Sequence, residues 1–214
     1  MESRTDHILV VDDEPGIRQI LHKGITREGY RCAVAENADQ ALDILARSKI
    51  DVVISDIQMP GMSGIELCRR IRDTHDADVM MMTGHVEVYA YDTIIAKGAS
   101  DFIQKPFGNK ELIARLNRVL AERANRIHLN RAVAELAESL KKYRKAMHGI
   151  VQAMSLTVEM RDPYTAGHQR QVADLARLLA QSMGMGKDTV EGLYMVGIIH
   201  DIGKIAVPAE ILCK

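Results

Sequence analysis

The chain has 214 residues, of which 47% are hydrophobic and 27% charged, and its formal net charge is -1. That balance is ordinary for a water-soluble globular protein and excludes a global electrostatic pull toward nucleic acid or an anionic membrane. No apolar run approaches the ~20 residues of a membrane span. The polar stretch Met1–His7 is unlike a secretory leader, and Cys32, Cys68 and Cys213 are odd in number and widely spaced, so the expectation is a cytoplasmic protein with reduced, structural thiols.

From the N-terminus, short β-branched runs alternate with amphipathic helical patterns, which predicts a parallel sheet with crossover helices. The expected strands are Ile8–Val11, Arg31–Ala35, Val52–Ser55, Val79–Met82 and Asp101–Gln104, and the intervening helices Gly16–Glu28, Ala38–Arg47, Gly64–Arg72 and Val86–Lys97. Five βα units make a doubly wound α/β domain, in which function sits at the carboxyl ends of the strands.

After Pro106 the pattern changes. A continuous helix is expected from Asn109 to about Met160, a stretch with no proline and with Gly149 as its only glycine. Leu129, Val133, Leu136, Leu140, Tyr143, Met147, Ile150 and Met154 recur in alternating steps of four and three, the seam of a coiled coil. Ile113, Leu116, Leu120 and Ile127 form an earlier stripe, so a stutter is expected where the two registers meet near Ile127–Leu129. Arg161-Asp162-Pro163 ends this helix. Thr165 is a candidate cap for a helix reaching about Met183, and Asp188 for a second helix, Val190–His200, whose apolar character on most sides predicts burial. Gly203 and Pro208 end the regular structure.

Asp12 and Asp13 follow one predicted strand and Asp56 another. Adjacent central strands would bring the three carboxylates together, where they repel unless a hard cation such as Mg²⁺ neutralises them. One carboxylate can then attack a phosphoryl donor. Thr83 and Lys105, at two further strand ends, offer a hydroxyl and a cation, and a cis bond at Pro106 would aim the lysine inward.

These residues carry a resemblance. V-V-D-D-E, S-D-I-Q-M-P-G-M-S-G, M-T-G-H and D-F-I-Q-K-P-F are similar to the receiver domain of two-component response regulators over roughly residues 5–122. The resemblance implies a flavodoxin-like receiver over residues 1–122 and a sensor histidine kinase as partner. It makes Asp56 the phosphoacceptor. Asp12, Asp13, Asp56 and the Gln58 backbone carbonyl become Mg²⁺ ligands, and Thr83 with Phe102 the switch pair.

The second half offers a different chemistry. His168 shares a helical stripe with Val172, Leu175, Ala176 and Leu179, which places it at the end of an expected buried face. His200 and Asp201 end an apolar helix, and Lys204 follows one turn later. Imidazole and carboxylate suit borderline metals. On a helix, adjacent side chains diverge by ~100°, which fits a bridging carboxylate better than a chelate. A satisfied core histidine is the competing reading of these residues taken alone.

E-M-R-D-P-Y-T-A-G-H-Q-R-Q-V and I-I-H-D-I-G-K-I-A-V-P-A-E-I-L resemble the first part of an HD-GYP domain, here over residues 148–214, with residues 109–160 as linker helix. That family hydrolyses cyclic di-GMP at a centre of two or three metals, often iron or manganese. The resemblance implies His168, His200 and Asp201 as metal ligands and Lys204 near the substrate phosphate. Tyr164 stands where some members carry a glutamate for a third metal, which argues against one here. The family's remaining ligands and G-Y-P loop fall beyond Lys214, so the expectation is a fragment of a longer regulator, or a shortened one, without useful hydrolysis by residues 1–214. Two functions compete. One is a phosphorylation-controlled, dimeric cyclic di-GMP phosphodiesterase; the other is a non-catalytic pairing and docking module. A DNA-binding regulator is disfavoured, because no basic recognition helix follows the receiver.

Overall fold

The structure is a computed structural model that describes residues 6–84, 95, 97–161 and 167–208. Most of the expected helix at Val86–Lys97, and Tyr164, Thr165 and Cys213, lie outside the described residues. The chain divides into two compact units, Met1–Asn130 and Arg131–Lys214.

The first unit runs β1 (His7–Val11), α1 (Pro15–Arg27), β2 (Arg31–Ala35), α2 (Ala38–Arg47), β3 (Val52–Asp56), α3 (Gly64–Thr74), β4 (Asp78–Thr83) and β5 (Asp101–Gln104). All five strands pair in parallel, in the order β2-β1-β3-β4-β5. The expected strands are all recovered, with ends displaced by at most one residue. β3 and β4 are buried along their whole length, which is why their sequences read as continuous apolar runs rather than alternating ones. On one face Leu9, Val11, Val53, Val79 and Met81 pack with Leu45, Leu67 and Ile71 of α2 and α3. On the other, Ile8, Val10, Ile54, Met80 and Met82 pack with Leu21, Ile25, Leu112, Leu116 and Val119. Local signals place the helix starts: Pro15 opens α1, Asn37 accepts from the Gln40 N–H at 2.9 Å, and Ser63 accepts from the Glu66 N–H.

A helix, α4 (Asn109–Arg161), follows without interruption. Leu129, Val133, Leu136, Leu140, Tyr143, Ile150 and Met154 of its heptad seam are exposed. Val151, Ser155 and Val158, on a different side of the same helix, are buried. Among the described residues no helix is long and apolar enough to cross a membrane.

In the second unit, α4 is followed by α5 (His168–Ser182), α6 (Lys187–Ile199) and a short 3₁₀ helix, Ile202–Ala206, which contains Gly203. Val151, Ala173 and Ile198 form its core. The burial expected for α5 is corrected. Gln169, Ala173 and Ala180 face inward, while His168, Leu175 and Leu179 are exposed. The reason is a close helix crossing: a Cβ on Gly197 would lie 2.6 Å from the Ala173 Cα, so only the small-residue side of α5 fits there. α6 is also less buried than its composition predicts. Val190, Gly197 and Ile198 are inside, whereas Val196 is 61% exposed. The cap position of α6 is Gly186 rather than Asp188, which lies in the first turn and pairs with Arg144 of α4 at 3.0 Å.

Candidate functional site

In the order β2-β1-β3, chain direction across the sheet reverses beside β1, the place where folds of this kind bind ligands outside the carboxyl ends of their strands. Asp12 and Asp13 follow β1, and Asp56 ends β3. Each offers a carboxylate oxygen within 4.8 Å of the others. Asp12 and Asp56 are buried, and Asp13 is exposed.

Three carboxylates so close require positive charge, and Lys105 supplies part of it. Its Nζ lies 2.8 Å from Asp12 Oδ2 and 2.8 Å from Asp56 Oδ2. Burial alone would lower the Lys105 pKa, but the hydrogen bonds and charges of Asp12 and Asp56 outweigh it and hold the ammonium above its ordinary value. The Lys105–Pro106 bond is cis. The other carboxylate oxygens accept backbone bonds, Asp12 Oδ1 from the Glu14 N–H at 2.9 Å and Asp56 Oδ1 from the Gln58 N–H at 3.3 Å.

Thr83 is buried at the end of β4, one residue beyond Met82, which pairs in register with Asp56. The Lys105 N–H donates to the Thr83 carbonyl at 2.7 Å, so the hydroxyl and the cation are held on neighbouring strand ends. Phe102, early in β5, is half-buried, and the Arg115 guanidinium carbon stands 6.0 Å from its ring centre.

The second unit brings His168, His200 and Asp201 together, again with ligand atoms within 4.8 Å. The expected divergence of His200 and Asp201 is corrected. The regular helix ends at Ile199, Asp201 leaves helical geometry, and its Oδ1 lies 3.6 Å from His200 Nε2. The His168 and His200 rings meet edge to face, 5.8 Å between centres. The His200 Nδ1 is 2.7 Å from the Gly197 carbonyl, and Lys204 Nζ is 2.8 Å from Asp201 Oδ2. The hydrogen bond from Lys204, with the charges of His200, Lys204 and His168, holds Asp201 below the usual carboxylate range.

Both donor sets suit cations. The all-oxygen Asp12, Asp13 and Asp56 cluster matches a hard ion such as Mg²⁺, and the mixed nitrogen–oxygen set matches a borderline ion.

Other contacts at the first site are given no role by the motifs, although Ser55 and Gly64 stand at the two ends of S-D-I-Q-M-P-G-M-S-G. The Arg18 guanidinium donates to the Asp12 carbonyl at 2.6 Å, and Ser55 Oγ to the Asp56 carbonyl at 2.9 Å. Gly64 packs so closely on Asp56 that a Cβ there would meet its carbonyl oxygen at 1.9 Å. At the far ends of the strands, Arg123 joins Asp51, Asp76 and Asp78. The sequence signal for that cluster is an aspartate at or just before the start of an apolar strand, repeated at Asp51, Asp78 and Asp101, with arginines spaced along one helix.

A five-stranded parallel sheet with a three-carboxylate cluster bonded to a lysine at its reversal point defines a receiver-type signalling domain. The response regulator receiver domain family matches residues 8–117, and the chain belongs to that family. An HD domain matches residues 165–214. Over 219 residues the chain is 26% identical to a cyclic di-GMP phosphodiesterase of Thermotoga maritima, covering 97% of this chain and 59% of that protein. It is 39% identical over 133 residues to the probable transcriptional regulator ycf27 of Porphyra purpurea, covering 62% of this chain and 54% of that one. The chain thus spans little more than half the length of these relatives. A solved receiver domain of an HD domain-containing protein from Pseudomonas fluorescens Pf-5 superposes with a TM-score of 0.53 at 28% identity, covering 60% of this chain and 96% of that one.

Proposed function

We propose that this receiver takes a phosphoryl group from a sensor histidine kinase onto Asp56 and passes the signal through a paired α4 to its HD part. The observation that carries the reading is the Lys105 ammonium held 2.8 Å from both Asp12 and Asp56 inside a three-carboxylate pocket. An Asp56 carboxylate oxygen attacks the donor phosphorus. The bond to the kinase imidazole breaks, its electron pair leaves with that nitrogen, and an acyl phosphate forms. Lys105 and the Thr83 hydroxyl are placed to bind the transferred oxygens, and Thr83 and Phe102 act as the switch pair. Mg²⁺ would be held by Asp12, Asp13, Asp56 and the Gln58 carbonyl, and its charge offsets that of the phosphoryl group.

The exposed seam from Leu129 to Met154 supports pairing with a second copy, because the side of α4 used by its own unit is Val151, Ser155 and Val158. For the HD part, similarity to the Thermotoga maritima protein supports a cyclic di-GMP phosphodiesterase as the activity of the whole regulator. In that setting His168, His200 and Asp201 would hold part of an iron or manganese centre, with Lys204 toward substrate phosphate. A second reading is a pairing and docking module in which His168, His200 and Asp201, whose ligand atoms lie within 4.8 Å of one another, hold a single ion.

The deciding experiment incubates the chain with a small acyl phosphate and Mg²⁺ and compares it with Asp56→Asn. Label on the wild type alone supports the assignment; equal label on both removes Asp56 from its role.

A further inference from the structure

The apolar grip of α4 on the sheet ends at Leu120. One turn later Arg123 enters the protein, its side chain 4% exposed. Its guanidinium spans three carboxylates. One terminal nitrogen lies 3.2 Å from Asp76 Oδ1 and 3.2 Å from Asp78 Oδ2. The other lies 2.6 Å from the Asp76 carbonyl and 2.9 Å from Asp76 Oδ2, while Nε is 3.7 Å from Asp51 Oδ1. Arg126 adds a bond of 2.6 Å to Asp78 Oδ2, and the Ser100 hydroxyl one of 2.8 Å to Asp78 Oδ1. A planar fork with five donors can satisfy this arrangement, whereas a lysine ammonium acts from a single point.

The position of this cluster gives it a further role. Asp51 immediately precedes β3 and Asp78 opens β4. The same two strands end in Asp56 and Thr83. Both are buried along their whole length and pair with each other residue by residue, so their backbones run continuously from the Arg123 cluster to Asp56 and Thr83. The exposed seam begins only a turn beyond Arg126. Between the packed part of the helix and its seam, the contact with the sheet is therefore ionic and made to strand starts.

We propose that Arg123 is a positioning residue that sets the register of α4 against the starts of β3 and β4, so that a change at Asp56 or Thr83 reaches the seam through those strands. The proposal rests on Asp56 as phosphoacceptor. It requires no contact between Arg123 and the reacting atoms, and the Arg123 cluster sits at the opposite end of the sheet from Lys105.

The test uses the full chain as wild type, Arg123→Lys and Asp76→Asn. The Asp76 side chain is 80% exposed, so its amide variant keeps the fold even where a change at Arg123 weakens it. Two quantities are read: label at Asp56 from a small acyl phosphate with Mg²⁺, and backbone hydrogen exchange over residues 127–154 with and without that donor. In the wild type, phosphorylation is expected to change seam exchange about fivefold, the low end of allosteric couplings. Both variants are expected to keep their label while this ratio shrinks at least about twofold. A uniform loss of stability raises exchange in both states and leaves the ratio alone. A labelled wild type with an unchanged ratio in both variants, or with no seam response at all, overturns the proposal. An unlabelled wild type overturns the phosphoacceptor reading and this one with it.

Discussion

Replacing Gly64 with alanine tests how tightly the start of α3 is pressed onto the end of β3. The new Cβ would lie 1.9 Å from the Asp56 carbonyl oxygen and 2.9 Å from its carbonyl carbon, where ordinary contact begins at 3.4 Å. The neighbours are backbone, so no rotamer change relieves them, and the Gly64 N–H is also bonded to the Ile57 carbonyl at 3.0 Å. Overpacking of this kind costs ~1–3 kcal/mol. Alanine recovers ~0.5–1 kcal/mol of backbone entropy relative to glycine. Because backbone must move by more than an ångström, the upper half of the overpacking range applies, and the net expectation is a loss of about 1–2.5 kcal/mol. Gly16→Ala is the control, since nothing stands within 4 Å of its Cβ in α1; it is expected to gain ~0.5–1 kcal/mol. Urea unfolding followed by circular dichroism reads both values. Phosphoryl uptake should fall at least ~10-fold in Gly64→Ala, because small misplacements of reacting groups are costly. A Gly64→Ala protein as stable as Gly16→Ala, with unchanged uptake, would refute the close-contact argument.

On the proposed pairing of α4, glutamates at Leu136 and Leu140 should leave only monomers in light scattering, each leucine of a paired seam contributing ~1.5–3 kcal/mol; a dimer mass equal to that of the wild type would move the interface elsewhere. Residues 1–214 should bind at most substoichiometric metal through His168, His200 and Asp201 and should not turn over cyclic di-GMP; clean hydrolysis that disappears in His200→Ala contradicts this. Acid should expose the Asp78 cluster. Burial pushes the Asp78 carboxyl up, but hydrogen bonds from Arg126, Ser100 and Arg123 outweigh it and hold the group below its ordinary value. The folded state therefore binds this proton less readily than the unfolded chain. The resulting stability is complete above the unfolded pKa of ~3.9 and is lost as pH falls further, through the folded value. The difference in unfolding free energy between wild type and Asp78→Asn should be flat from neutral pH to about 5 and shrink below about 4; a difference that grows on acidification would reverse the sign.

The sheet was legible because its strands are short, β-branched and bounded by charged or glycine-rich turns, as at Ile8–Val11 before Asp12-Asp13. The acidic pocket was legible for a related reason: in a parallel fold, strand ends converge, so Asp12, Asp56, Thr83 and Lys105 could be placed without knowing any distance. The Arg123 cluster was not legible. It joins residues more than forty positions apart through a charged helix face that reads as solvated in one dimension. The inward side of α5 was misread for a different reason. Hydrophobic periodicity assigns the leucines to the core, but at the crossing with Gly197 steric fit outranks hydrophobicity and Ala173 occupies the contact. His200 and Asp201 converge because the helix stops one residue earlier than its apolar pattern suggests.

The three consecutive methionines of β4 give this domain a softness that its burial conceals. Met80 and Met82 fill one side of the sheet and Met81 the other, each at most 1% exposed. Met81 is in register with Ser55 on one side and Phe102 on the other, and Met82 with Asp56 and Ile103. Unbranched thioethers reshape to a changing cavity more readily than valine or isoleucine would at the same positions. On the proposed switch, the side chains of the strand that ends in Thr83 can therefore follow a turn of the Phe102 ring without opening a void. Its methyl groups look into both cores at once, and isotope labels on them would report separately on the two faces of the sheet.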